Sequence, residues 1–253
     1  MIQSRAMNLG LIGFGRFGQF AANHLRLRLN LVVWDPRDLR RQAAALGLSW
    51  GTLADAASQP FVLMAVPISE LPSCLESVAP HLSPGALFMD CCSVKVRPIE
   101  WMLKALPEDV EIVGVHPLFG PGSARAGLGG LQVVLCPGRG GRIELVGRFL
   151  EEMGLRVHVL TPEEHDRLVA ATMALTQFLG RGLLAAGLQE IPLGTPAFEH
   201  LLRMVEMVRG DSTTLFHDMH RLNPFAAVER RRLIEALLKI HNDLESLSTD
   251  IEP

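Results

Sequence analysis

The chain has few cysteines, no surplus of basic charge and no leading apolar segment, and each shortage closes off a class of function. Its four cysteines, Cys74, Cys91, Cys92 and Cys136, form no C-x-x-C pair. Adjacent residues such as Cys91 and Cys92 rarely bridge each other, so reduced thiols in a cytoplasmic protein are expected. A net charge of -3 and a pI near 6.3 leave no basic excess to neutralise phosphates, which argues against a nucleic-acid partner. The segment Met1 to Met7 lacks the apolar stretch of a signal peptide. H-E-x-x-H, a Walker loop and G-x-S-x-G are all absent. His165, His217, His220 and His241 show no metal-ligand grouping; they read as structural or surface residues, and no metal is expected. One run, Leu168 to Leu188, is long and apolar enough to suggest a membrane span, yet it carries Gln177 and Arg181 near its middle. A charge there is costly in lipid, so a helix buried in protein is expected, with no membrane partner.

What is present describes an ordinary globular protein. Hydrophobic residues make up 48% and charged residues 20% of 253 positions, enough for one large or two modest domains. From Asn8 to about Val159, short apolar runs alternate with helix-length segments. The runs are Leu9–Ile12, Leu31–Trp34, Phe61–Val66, Ala86–Met89, Ile112–Val115, Gln132–Leu135 and Arg156–Leu160. Apolar runs without strict alternation, separated by helices, predict a parallel, doubly wound sheet covered on both faces. After Thr161 the strand signals stop. Thr161-Pro162-Glu163-Glu164 combines an N-cap, a first-turn proline and a capping-box acid, and Thr195-Pro196 and Asn223-Pro224 repeat the cap-then-proline start. The expected organisation is an α/β domain over 1–160 and an all-α domain over 161–253. The latter is small for an independent core, which points to a homodimer formed through it.

Gly13-Phe14-Gly15-Arg16-Phe17-Gly18 follows the first predicted strand and opens the first predicted helix. In a G-x-G-x-x-G turn, Gly13 permits the tight bend, Gly15 the approach of backbone to a pyrophosphate, and Gly18 the helix–strand contact. The pyrophosphate would sit on the amides and positive dipole of the helix N-terminus. Asp35, about twenty residues on at the end of the second strand, can accept bonds from the adenosine ribose and repels a 2'-phosphate. A Rossmann-type domain that takes NAD, with NADP less favoured, is therefore expected. Arg37, Arg40 and Arg41 just beyond Asp35 could instead receive a phosphate or form a solvated face. Ala65-Val66-Pro67 and Asp90-Cys91-Cys92-Ser93-Val94-Lys95 follow later strands and should line the nicotinamide end, because ligands in such sheets bind outside the carboxyl ends of the strands.

Downstream lies Gly114-Val115-His116-Pro117-Leu118-Phe119-Gly120-Pro121-Gly122, a single His in a loop stiffened by prolines and glycines. The run resembles the His-Pro-(Met/Leu)-Phe-Gly-Pro signature of the prephenate and arogenate dehydrogenases. The likeness extends to the fingerprint with Asp35, Ala65-Val66-Pro67, Asp90 to Lys95, Glu164-His165-Asp166 and the segment 211–232, which is nearly the whole chain. It implies an NAD-linked oxidative decarboxylation of a cyclohexadiene carboxylic acid, prephenate or arogenate, in tyrosine biosynthesis. His116 matches the family's catalytic His, which takes the ring hydroxyl's bond and helps to remove its proton. An imidazole titrates near working pH and suits that role. Ser93 matches the serine that orients the same hydroxyl, although a Ser before a helix is also a common N-cap. Lys95 could counter a substrate carboxylate, and Asp90 supports the loop. With no mutase helices before it and no regulatory domain after it, a minimal, monofunctional member is expected.

The helical half departs from the family pattern. By spacing from His165-Asp166, Gln177 stands where the family has a second His, and it carries no charge at any pH. Pro224 aligns with a substrate-binding Arg. Gln177 and Arg181 share a helix face at i, i+4 and form the expected substrate wall, Arg181 being able to bind a carboxylate bidentately. The departures keep two alternatives open: a dehydrogenase of this architecture acting on another small carboxylic acid, and a non-catalytic NAD-binding protein.

Overall fold

The computed structural model describes residues 7–248. Packing divides the chain into two compact units, with the division between His165 and Asp166.

The first unit is built on eight strands: β1 (Asn8–Ile12), β2 (Asn30–Trp34), β3 (Ser49–Trp50), β4 (Phe61–Met64), β5 (Leu87–Asp90), β6 (Glu111–Pro117), β7 (Gln132–Arg139) and β8 (Arg156–Val159). Their order is β3-β2-β1-β4-β5-β6-β7-β8. The order reverses between β1 and β4, the switch point at which ligands bind in such sheets. Helices α1 (Arg16–Leu25), α2 (Arg40–Ala45), α3 (Leu53–Ala57), α4 (Leu71–Val78), α5 (Val96–Ala105) and α6 (Ile143–Glu152) connect the strands. Central strands are buried along almost their whole length, as the unalternated apolar runs require. Leu11, Val33, Leu63, Leu87, Val113 and Leu135 join Phe14 and Ala22 in one core.

Two features were not foreseen. β3 has only two residues, too short to leave an apolar run. β7 runs antiparallel to β6, while every other neighbouring pair is parallel. The segment 118–131 is rich in glycine and forms no helix, so it supplies no crossover and the chain turns straight back. β6 also outruns its neighbour: β5 pairs with it only as far as Asp90↔Gly114, while Val115, His116 and Pro117 pair with β7 alone. His116 therefore belongs to a strand that overhangs the sheet's carboxyl edge, not to the following loop.

The second unit begins within a helix. α7 (Pro162–Val169) starts on the expected capping box, with Glu164 N donating to Thr161 Oγ1 at 3.2 Å and Thr161 N to Glu164 Oε2 at 2.9 Å. It passes through a π turn, Ala170–Ala174, into α8 (Leu175–Ala185). α9 (Pro196–Arg209), capped by Thr195, α10 (Thr213–Leu222) and α11 (Ala226–Ser248) follow. Asn223 and Pro224 form a turn ahead of α11 and lie outside the helix, Asn223 Oδ1 accepting from Phe225 N at 2.9 Å. The stretch Pro162–Ala185 is long and apolar enough to cross a membrane by length and composition, and 28% of its most apolar window is buried. The expected buried helix is thus buried on one face only, at Val169, Ala170, Ala174, Gln177 and Gly180.

Gly10 shows how tightly the sheet is covered: a Cβ there would lie 1.8 Å from the Ala56 carbonyl oxygen of α3. A backbone atom cannot step aside, so Gly10→Ala should lower unfolding free energy by about 2–3 kcal/mol in urea titration. Gly120→Ala, with nothing within 4 Å of its Cβ, is the control and should change it little. Equal effects would contradict the close-packing reading.

Candidate functional site

The dinucleotide fingerprint folds as the glycine spacing requires. Gly13 has φ +95°, and a Cβ on it would strike the Ala65 carbonyl at 2.4 Å. A Cβ on Gly18 would come within 2.1 Å of the Gly13 oxygen, so α1 can press against the turn only without a side chain. Gly15 is the N-cap of α1, makes no side-chain cap bond, and no acid stands in the first turn. No carboxylate of the helix's own first turn compensates its positive end. Phe14 is fully buried in the core, Arg16 is exposed, and Phe17 packs at 5.9 Å from Phe20. Ala65 N donates to Ile12 O at 2.7 Å, which sets Ala65-Val66-Pro67 against the glycine turn.

Asp35 follows β2 and is buried. Its Oδ2 accepts from Phe14 N at 2.8 Å and Arg37 Nη2 at 3.0 Å, and its Oδ1 from Arg37 N at 3.0 Å and Arg37 Nε at 2.8 Å. Burial by itself would raise this carboxyl, but the Arg37 side chain and the Arg37 and Phe14 amides outweigh it and hold the pKa below the ordinary value. Asp35 thus reaches the fingerprint, as expected, with both oxygens already bonded inside the chain.

At the end of β5, Asp90 Oδ2 accepts from Cys92 N at 2.9 Å and from Lys95 Nζ at 2.5 Å. Both charged side chains are wholly inaccessible. This corrects the expectation that Lys95 meets a substrate carboxylate: its charge is held by Asp90 inside the protein. Burial alone would lower the Lys95 pKa, and Asp90 more than reverses that, so the ammonium persists. The Lys95 stem crosses Gly114, where a Cβ would come within 2.9 Å of it, so glycine beside the His motif serves this strut. The pair brackets Cys91 to Val94, where the chain bends at Ser93, itself buried. Ser93 does not cap α5; the N-cap is Lys95, with no side-chain cap bond. Burial pushes the Cys91 thiol up to about 12 and Cys92 upward as well, so neither is a thiolate nucleophile.

His116 is buried on the overhang of β6, and its Nδ1 lies 2.7 Å from Nε2 of His165 in α7, also buried. The ring centroids are 5.0 Å apart at 70°. Burial first, then His165, then the Lys95 charge hold His116 well below its ordinary 6.5, so the imidazole is neutral at pH 7. His165 was read from sequence as structural or surface, and the structure makes it the partner of the base candidate. The signal was the capped start at Thr161, which fixes the helix phase and thereby where His165 points.

In the second unit, Gln177 is buried and its Nε2 donates to Asp211 Oδ2. Arg181 Nη2 donates to the carbonyls of Asp211 at 3.1 Å and Ser212 at 3.3 Å, with its guanidinium 4.6 Å from the Phe216 ring centroid. Among the described residues, Gln177 Oε1 and Arg181 Nε are buried without a hydrogen-bond partner. An orphan acceptor and an orphan donor one turn apart are costly unless a ligand satisfies them. Asp211, in the turn between α9 and α10, meets Gln177 with its carboxylate and Arg181 with its carbonyl.

Residues 22–160 match the family model described as prephenate dehydrogenase, nucleotide-binding domain, and residues 183–252 match one described as TYRAAT1-like, C-terminal domain. Arogenate dehydrogenase 1 of Arabidopsis thaliana, chloroplastic, is 31% identical over 97% of this chain and 39% of its own length. The Arabidopsis arogenate dehydrogenase 2, also chloroplastic, is 31% identical over 96% of this chain and 71% of its own length. The chain therefore spans well under half of the first relative. A prephenate dehydrogenase from A. aeolicus, solved with hydroxyphenyl propionate and NAD+, has the same fold, with TM-score 0.76 at 21% identity over 98% of this chain and 92% of that one.

The Asp90–Lys95 pair yields a stability test. Lys95→Met leaves a carboxylate buried alone and should cost about 3–5 kcal/mol in denaturant unfolding, while Asp90→Asn combined with Lys95→Met recovers much of the loss. A single variant no less stable than the double one would contradict the pairing.

Proposed function

This chain belongs to the prephenate dehydrogenase family, and from that premise we propose that it oxidises and decarboxylates arogenate or prephenate with NAD, in tyrosine biosynthesis in the cytoplasm. The observation that carries the proposal is the buried, neutral His116 on the carboxyl edge of a sheet whose first turn is a complete dinucleotide fingerprint. A nicotinamide held at this turn would supply the acceptor for a hydride from the ring carbinol carbon. Gly13, Gly15 and Gly18 let the pyrophosphate approach the start of α1, and Ala65, Val66 and Pro67 border it. His116 removes the hydroxyl proton as the carbon–oxygen bond becomes a carbonyl. The ring carboxylate then leaves as carbon dioxide, its bonding pair completes the aromatic ring, and the carbonyl π pair moves to oxygen, which takes up a proton to become the phenol hydroxyl. Ser93 orients the hydroxyl.

Proton acceptance at Nε2 requires that His116 carry its own proton on Nδ1 and donate it to His165 Nε2. His165 is then a positioning residue that fixes the useful tautomer. A neutral imidazole also needs no prior deprotonation at physiological pH.

Gln177, Asp211 and Arg181 are assigned to the substrate's side chain. Arogenate carries an ammonium and a carboxylate there; prephenate carries a ketone and a carboxylate. Gln177 Oε1 can only accept, so an ammonium satisfies it and a ketone oxygen does not. Arg181 Nε suits the carboxylate. These residues favour arogenate. The exposed Ile234, Leu237, Leu238 and Leu244 of α11 follow helical spacing and supply an apolar face for a homodimer.

The protein mixed with NAD and each acid in turn should form reduced nicotinamide by absorbance, faster with arogenate. His116→Ala should cut turnover by about a hundredfold or more with dinucleotide affinity nearly unchanged. Dinucleotide binding without turnover of either acid would instead favour another carboxylic-acid substrate or a non-catalytic role.

A further inference from the structure

We propose that Arg37 sets the dinucleotide choice by opening the adenosine ribose site to a 2'-phosphate, so that the chain binds NADP as well as NAD. The proposal builds on the dinucleotide reading above. An unpartnered acid at the end of β2 selects NAD in two ways: its oxygens accept the ribose hydroxyls, and its charge repels a phosphate. Asp35 is not unpartnered. Its two oxygens already take four donors, three from Arg37 and one from Phe14. That fills the acceptor capacity of a carboxylate. Ribose hydroxyls can be accepted there only by displacing Arg37 from a bidentate ion pair whose acidic member is buried.

The repulsion is cancelled as well. A guanidinium at 2.8 Å neutralises the carboxylate charge, so an arriving phosphate meets an ion pair. The Arg37 side chain is 65% exposed even while paired, and only Nε and Nη2 are bonded to Asp35. Its Nη1 is not used by Asp35, Glu70 acts on the same guanidinium from a distance, and a guanidinium binds phosphate through parallel N–H bonds. Arg37 also stands in the right place. Its Nη2 lies 3.5 Å from where a Cβ on Gly15 would be, over the glycine that admits the dinucleotide. Arg40, by contrast, faces its own acid, Asp38, at 3.7 Å in solvent.

Binding can be read without turnover, by titrating the full chain with NADH and NADPH and following reduced-nicotinamide fluorescence. The native protein should bind the two within roughly tenfold of each other. Arg37→Ala should weaken NADPH by about thirtyfold or more and NADH by less than about threefold, because it removes a phosphate partner and unmasks Asp35. Arg37→Gln, which keeps a donor for Asp35 but no charge, should show the same bias and guards against a folding defect. NADH binding with NADPH rejected by the native protein overturns the proposal and leaves the dinucleotide reading standing. So does equal weakening of both ligands in the variants. Binding of neither ligand by the native protein overturns the dinucleotide reading and this proposal together.

Discussion

Two imidazoles 2.7 Å apart in a buried setting impose a constraint on which the proposed chemistry depends. One ring must donate and the other accept, and two protonated rings at that distance would repel each other without water to screen them. The contact therefore disfavours a doubly protonated pair and couples the two tautomers, since whichever ring donates, the other must accept. It also ties the overhanging end of β6 to the start of α7, so the same bond that tunes His116 holds it in place.

Around that contact, the unit places its charges in pairs. Asp90 and Lys95 hold the turn after β5, and Asp35 and Arg37 close the turn after β2. In each pair the acid stands at or just after the end of a strand and the base follows within five residues, so local sequence sets the geometry. The difference lies in burial. Lys95 is sealed and acts as a strut, while the Arg37 side chain is mostly in solvent and can meet a ligand.

Much of this was legible in the sequence. The glycine fingerprint, Asp35 and the unalternated strands announced the sheet and its switch point, because close packing and positive φ leave few residue choices. The Thr161 and Thr195 caps marked two helix starts correctly, since capping is local chemistry. What escaped depends on contacts between distant residues. His165 meets His116 across 49 positions, and Asp211 meets Gln177 across 34. Lys95 carries the same charge whether buried or solvated, so its sequence context could not assign it to Asp90. The antiparallel return of β7 followed from a missing helix, a weaker signal than a present one.

The most direct test of the account is the protonation of His116, read from its ring nitrogens by long-range 1H–15N NMR between pH 6.5 and 8. The ring should be neutral across that range, with the proton on Nδ1 and Nε2 bare. A ring that is cationic at the lower end, or one that carries its proton on Nε2, would contradict His116 as the base.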